Sequence, residues 1–548
     1  MSIRPSLAYV SAERAPDRSL GAPGQSQSSS VRRSLRGLGL IGGALALALA
    51  GCGPLGAPEL PWNPKEASLQ DVRGVVKSGL ISCRQMASRY QLLHDGFDPT
   101  FRAVVSWNPQ LLADAERLDR VPQGQRGSFH CVPVVIKDNI EVIGLPTTAG
   151  ARALDGVARS NAEVAQRLIT AGALVLGKSN MPDFALDGTN TVSSFGGQTR
   201  NPYDQSLTVY GSSGGTAAAL TASLGVIGLG TDTSGSLVQP ASATGLVAIR
   251  PTQGLVPATG IVPLMSLQDM PGPMARTVED AAAALELLVD SQYAAKGSQS
   301  YTSGLSSGAL KGLTIGYDPA ALQPLPAPPL VPSEDVAALF TQVLQNLAQA
   351  GANAKQVSVL GTQLPTLQAA IELSFQCMPV DFKQSLNSHL AQARSQAAIK
   401  SLADIIPTRK YQDSAFEFLT QAEAQTDTIQ SSTACQKYLE AKAAAARSIT
   451  ALMDKEGVDL LIYPAANQPA YPIGTMPPKG WFGFQALSSN TGLPSLSMPM
   501  GRAPRAGAPV GFILLARGYQ EAKLIQAAYA YQSRFKPRSA PTATWPTP

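Results

Sequence analysis

At 548 residues, with 44% hydrophobic and 15% charged residues, the chain has the composition of a globular protein with a large core, not of a disordered one. Its formal net charge of +5 gathers at the front: residues 1–51 hold six Arg against one Glu and one Asp, which leaves 37 basic and 36 acidic groups in the rest. That balance argues against a nucleic-acid surface. With His94, His130 and His389 as the only imidazoles and no cysteines at metal-ligand spacing, the sequence argues against a zinc site as well.

The N-terminus reads as an address. Arg32-Arg33-Ser34-Leu35-Arg36 precedes an apolar run from Leu38 to Ala50, too short to span a bilayer, and the run ends in Leu49-Ala50-Gly51-Cys52. The tetrapeptide resembles a bacterial lipobox. This implies removal of residues 1–51 as a lipoprotein-type signal peptide, lipidation of Cys52, and a lipid anchor holding the protein at the bacterial cell envelope, facing the periplasm or exterior. The paired arginines resemble a twin-arginine signal. Residues 52–66 read as a linker. Export would leave Cys83, Cys131, Cys377 and Cys435 either to pair in one of three ways in an oxidising compartment or to stay as buried thiols.

From Pro61 to Asp119 the spacing predicts helices, with Ser68, Val72 and Val76, then Met86, Tyr90 and Leu93, on core-facing stripes. The β-branched run from His130 to Ile136 predicts a buried strand that delivers Lys137-Asp138-Asn139 at its end. Gly172 to Ser179 satisfies the phosphate-loop pattern GxxxxGKS, yet the residues between its glycines are all apolar and predict a buried strand. Pro182 also stops the long helix such a loop needs, so no nucleotide site is expected.

The densest stretch runs from Tyr210 to Thr252. Gly211-Ser212-Ser213-Gly214-Gly215 and Gly230-Thr231-Asp232-Thr233-Ser234-Gly235-Ser236 flank an Ala-rich helix and a short apolar strand, and Pro240-Ala241 and Arg250-Pro251-Thr252 follow. Small residues at this density let backbone approach a substrate and aim several main-chain N–H groups into one spot, as an oxyanion site requires. Beyond it, Thr277 caps a predicted helix. Leu313–Tyr317 predicts a strand, Val336, Leu339, Phe340, Val343, Leu344 and Leu347 mark one helix face, and Val458–Tyr463 predicts another strand. Strands alternating with helices argue for one α/β unit. Residues 363–455 read as mostly helical, and 536–548 as a Pro-rich tail.

These blocks resemble the amidase signature family: His130–Asn139, Leu176–Ala185, the two serine-rich turns, Pro271–Arg276, Gly492–Gly501 and Pro509–Phe512 occur in family order. The resemblance implies a single large domain over residues 67–535, with a mixed central β-sheet covered by helices and a variable region, 363–455, that shapes the substrate entrance. It implies no cofactor. By the same resemblance Lys137 is the base, Ser212 the bridging serine and Ser236 the nucleophile. The backbone N–H groups of Thr233, Ser234, Gly235 and Ser236 form the oxyanion hole, with Ser213 and Asp232 in support.

Two positions depart from the family pattern: Ser234 stands where Gly is usual, and Val238 where many members carry Arg. The second implies a missing cation and a preference for neutral amides over those with a free carboxylate near the scissile bond. The expected activity is hydrolysis of a small-molecule or peptide carboxamide to a carboxylate and ammonia or an amine through an acyl-enzyme, in a peptide amidase-like branch. A protein like the amidase-type subunit of glutamyl-tRNA amidotransferase and a non-catalytic periplasmic scaffold lipoprotein on the same fold are the competing expectations. The absence of a histidine in a hydrolase motif weighs against a Ser-His-Asp triad.

Overall fold

The computed structural model describes residues 62–156, 158–290, 300–322, 333–393, 398–477 and 486–542; Cys52, the Leu38–Ala50 run and the paired arginines lie outside them. The chain opens with α1 (Leu69–Lys77), α2 (Cys83–Phe101), β1 (Val104–Trp107), α3 (Leu111–Asp119), β2 (Pro133–Lys137), α4 (Glu163–Thr170) and β3 (Leu174–Ser179). A two-residue pair, β4 (Val192–Ser193) and β5 (Gly197–Gln198), precedes α5 (Gly214–Thr221), β6 (Ile227–Asp232), α6 (Val238–Thr244), β7 (Val247–Arg250), β8 (Met270–Ala275) and α7 (Val278–Leu288). Then come β9 (Thr314–Tyr317), α8 (Glu334–Gln349), β10 (Asn353–Gln356), α9 (Val359–Ala393), α10 (Leu402–Ile405), α11 (Phe416–Glu423) and α12 (Thr433–Lys455). The chain closes with β11 (Leu460–Pro464), α13 (Ala486–Thr491), β12 (Ser495–Arg502), β13 (Pro509–Leu515) and α14 (Glu521–Phe535).

Eleven of these strands form one sheet in the order β1-β3-β2-β6-β8-β7-β12-β13-β11-β9-β10. It is mixed: β2 runs parallel to β3 and β6, and β9 parallel to β10 and β11, while the central pairs from β6 through β8, β7, β12 and β13 are antiparallel. The α/β architecture, a large mixed sheet covered by helices, is the one the sequence implies.

Strands covered on both faces read as continuous apolar runs, and β2 and β6 are buried along their whole length. Their register, Val134 with Ile227 and Ile136 with Leu229, brings Lys137 and Thr231 together at the carboxyl ends of the two strands. Helix α5 is buried at every position and packs on β2 and β6. Its small residues permit that closeness.

Local sequence had more than one reading at the front of the chain. Ser68 is not on the core stripe; it caps α1 by accepting from Asp71 N at 3.1 Å. The helical stretch is also interrupted by β1, which pairs antiparallel with β3 after Arg102 leaves α2 in a left-handed conformation. The GxxxxGKS segment contains strand β3, and Lys178 Nζ is buried among the carbonyls of Asp138 and Pro146 and the hydroxyl of Thr147. Thr277 caps α7 by accepting from Asp280 N. The four cysteines form two bridges, Cys83–Cys131 and Cys377–Cys435.

Gly215 shows how tightly α5 is set. A Cβ there would lie 2.3 Å from Asn180 O and 2.4 Å from Asn180 N, both backbone atoms. Alanine in a helix interior gains up to about 1 kcal/mol over glycine, but a clash with fixed backbone outweighs it. Gly215→Ala should therefore lower stability by about 1–3 kcal/mol, seen as a reduced urea midpoint. An unchanged midpoint would show that α5 can move away from Asn180.

Candidate functional site

The carboxyl ends of β2 and β6 meet the start of α5, and the three segments supply the site. Lys137, the last residue of β2, is fully buried. Its Nζ donates to Ser212 Oγ at 2.8 Å, Thr231 Oγ1 at 2.9 Å and Thr231 O at 3.2 Å. Asn139 Nδ2 donates to Thr231 Oγ1 at 3.1 Å, fixing that hydroxyl. Desolvation lowers the Lys137 ammonium to about 7, against the opposing pull of Asp232 and Asp269. A substantial fraction of the amine is then free base at neutral pH. A neutral amine has two N–H groups and one lone pair, so one neighbouring hydroxyl must donate to it, and Ser212 is the nearer.

Ser212 follows a cis Gly211–Ser212 peptide bond and is fully buried. Ser213 joins the two serine-rich turns: its N–H donates to Ser236 O at 3.2 Å and its hydroxyl to Thr231 O at 3.0 Å. Ser236 is 7% exposed, against 0% for Ser212 and Lys137, so of the three it is the one that reaches the surface of the site.

Asp232 shapes the turn before Ser236. Its carboxylate accepts from Gly235 N at 2.9 Å and Leu237 N at 2.8 Å, and pairs with Arg250 Nη1 at 3.0 Å. One of the four expected oxyanion donors, the Gly235 N–H, thus has a partner within the chain. The Gly235 N–H is turned inward to Asp232 and cannot also face a substrate oxygen. The N–H groups of Thr233, Ser234 and Ser236 make no hydrogen bond among the described residues. Gly235 instead supplies conformation: its φ of +102° is one that side-chain-bearing residues rarely adopt.

Val238 does not face the site. It is 1% exposed within an apolar cluster that includes Leu487, Leu493 and Tyr463. The cations near the turn are Arg250, from the Arg250-Pro251-Thr252 block, and Lys442 of α12, which carried no motif and is held low at about 7 by burial and then by Arg250. Asp269 likewise belongs to no motif. It accepts from Thr233 Oγ1 at 2.6 Å and is pushed up to about 6 by burial. A cavity of about 400 Å³ opens between Thr231, Asp269 and Met270 on the sheet side and Ser385, Ser388 and His389 of α9. Among the described residues the one trio of potential metal donors is Cys83, His130 and Cys131. Its two sulfurs are joined to each other, and it sits at the opposite end of β2 from Lys137.

A family model described as "Amidase" matches residues 88–525. Among solved structures the chain is similar to the native peptide amidase from Stenotrophomonas maltophilia, with TM-score 0.76 and 32% identity over 87% of this chain and 98% of that one. It is similar to an amidase family protein from Bacillus anthracis, with TM-score 0.75 and 27% identity over 87% of this chain and 92% of that one. By sequence it is 32% identical over 458 residues to a glutamyl-tRNA(Gln) amidotransferase subunit from Pseudomonas syringae pv. tomato, covering 79% of this chain and 90% of that protein.

The Asp232–Arg250 pair is buried on both sides. Removing one partner strands the other charge out of water. Arg250→Met should cost about 3–5 kcal/mol of folding stability by denaturant titration. A loss below about 1 kcal/mol would mean that the turn does not depend on the guanidinium.

Proposed function

The chain belongs to the amidase signature family and is an amide-hydrolysing enzyme, and from that premise we propose that it cleaves a small-molecule or C-terminal peptide carboxamide through a Lys137–Ser212–Ser236 relay. The contact between Lys137 Nζ and Ser212 Oγ at 2.8 Å carries this reading. The free-base amine accepts the Ser212 proton, Ser212 takes the proton of Ser236, and Ser236 Oγ attacks the carbonyl carbon. The N–H groups of Thr233, Ser234 and Ser236 receive the developing oxyanion. Asp232 and Ser213 hold the turns. When the C–N bond breaks the relay returns the proton to the leaving nitrogen, and water then hydrolyses the acyl-enzyme. A peptide amide substrate is supported by the 32% identity to the peptide amidase.

The equal identity to an amidotransferase component supports a second reading, in which the released ammonia attacks an activated acyl group held by a partner and displaces its leaving group. Release of free ammonia by the purified chain alone, at rates that added partner proteins do not raise, favours hydrolysis. We also propose that Cys52 is acylated and holds the enzyme at the cell envelope. Cys52→Ala should then leave an uncleaved precursor, and normal processing with unchanged membrane partitioning would reject the anchor.

Ser236→Ala should abolish turnover, and Lys137→Ala and Ser212→Ala should each lower kcat by about 10² or more. Because they act as one relay, the Lys137/Ser212 double variant should lose little beyond either single one. The Lys137 amine is protonated below about 7 and cannot accept a proton there, so kcat/KM should rise with pH through about 7 and level off above it. A flat profile from pH 5 to 9, or a covalent serine probe that labels a residue other than Ser236, would reject the mechanism.

A further inference from the structure

Residues 363–455 carry no motif, yet the structure ties them to the nucleophile turn through one short loop, Leu264–Asp269. The loop grips the turn on one side. Asp269 accepts from Thr233 Oγ1 at 2.6 Å, Gln268 Nε2 donates to Ser234 Oγ at 3.4 Å, and Arg250 Nη2 donates to Gln268 O at 2.7 Å. On its other side the loop is gripped by two helices. Asp381 of α9 accepts from Ser266 N at 3.0 Å, Ser266 Oγ at 2.8 Å and Leu267 N at 3.0 Å, and Lys442 of α12 donates from Nζ to Leu267 O at 2.6 Å.

Asp381 is fully buried and Lys442 is 8% exposed. Ionisable groups are costly to take out of water, and neither is part of the relay. Among the described residues the backbone groups that hydrogen-bond these two side chains, Ser266 N, Leu267 N and Leu267 O, all belong to this loop. The Cys377–Cys435 bridge lies on the same helix faces, since Asp381 is four residues beyond Cys377 and Lys442 seven beyond Cys435. It therefore sets the two helices in the register at which both side chains reach the loop. Ser234, at a position where the sequence resemblance leads one to expect glycine, gives the loop a side-chain handle on the turn that glycine would lack.

We propose that Lys442, together with Asp381, is a positioning residue for acyl transfer: it fixes the Leu264–Asp269 loop and thereby the Thr233–Ser236 turn that faces the oxyanion. This rests on the assignment of that turn to the oxyanion site under the proposed function. Through this loop the α9–α12 layer acts on the rate of the chemical step as well as on the shape of the entrance.

The test uses the full mature chain with Lys442→Met, Lys442→Arg and the near-isosteric Asp381→Asn, the last serving if Lys442→Met does not fold. On a small neutral amide, with active serines titrated, Lys442→Met should lower kcat about tenfold while KM stays within about twofold, as expected for a displaced catalytic turn. Lys442→Arg, which keeps a donor, should recover most of the loss, and Asp381→Asn should move kcat in the same direction. Hydrogen exchange of wild type and variants gives a readout independent of turnover: peptides covering 264–269 and 233–236 should both exchange faster in Lys442→Met. If the wild-type chain cleaves no amide, the functional reading fails, and exchange alone decides the positioning role. A lowered unfolding midpoint with unchanged kcat per titrated serine, or unchanged protection of 233–236, would overturn it.

Discussion

An amine held wholly out of water at the end of a parallel strand is the constraint on which the site depends. Lys137 reaches its place because β2 is apolar on both faces and ends there, so the sheet delivers the side chain into a desolvated edge. Burial alone would make the neutral amine inert. What makes it useful is that its neighbours are a serine hydroxyl and a threonine, with the Asp232 and Asp269 carboxylates near enough to stop the ammonium from falling further. Burial lowers the pKa and the two carboxylates oppose it, Asp232 from the end of β6 and Asp269 from the residue before β8.

The second level of organisation is the commitment of backbone. Asp232 uses its carboxylate to hold two N–H groups of the turn and pairs with Arg250, which leaves other N–H groups of the same turn for a ligand. The oxyanion role proposed for this turn needs donors that have no internal alternative, and a buried carboxylate that claims the wrong-facing ones is one way to ensure it.

How much of this was legible depends on how local each determinant is. Strands β2 and β6 could be read because a doubly buried strand has a distinctive apolar run, and the serine-rich turns because so many small residues together have few other uses. Strand β1 could not: four residues pairing with β3 leave too short a pattern to separate from the flanking helices. The direction of the Gly235 N–H was hidden because a carboxylate three residues away decides it. The burial of Val238 in an apolar cluster depends on how α6 packs against β12 and β13, which no residue spacing reports. Asp269, Asp381 and Lys442 gain meaning only when a loop and two distant helices converge, so single-sequence periodicity had nothing to say about them.

The Cys377–Cys435 bridge has a consequence for how the chain can be partitioned. It brings two positions 58 residues apart to a Cα separation of 4.6 Å, so the end of α9, α10, α11 and the connection to α12 form a covalently closed excursion with its entry and exit side by side. A segment whose ends already meet can be lengthened, shortened or replaced without asking the sheet to open. Any substitute would have to supply an acceptor, where Asp381 now stands, for the amides of Ser266 and Leu267, and an apolar face for Leu154, Phe184 and Leu264, which now pack in one cluster with Phe382, Leu386 and Leu419.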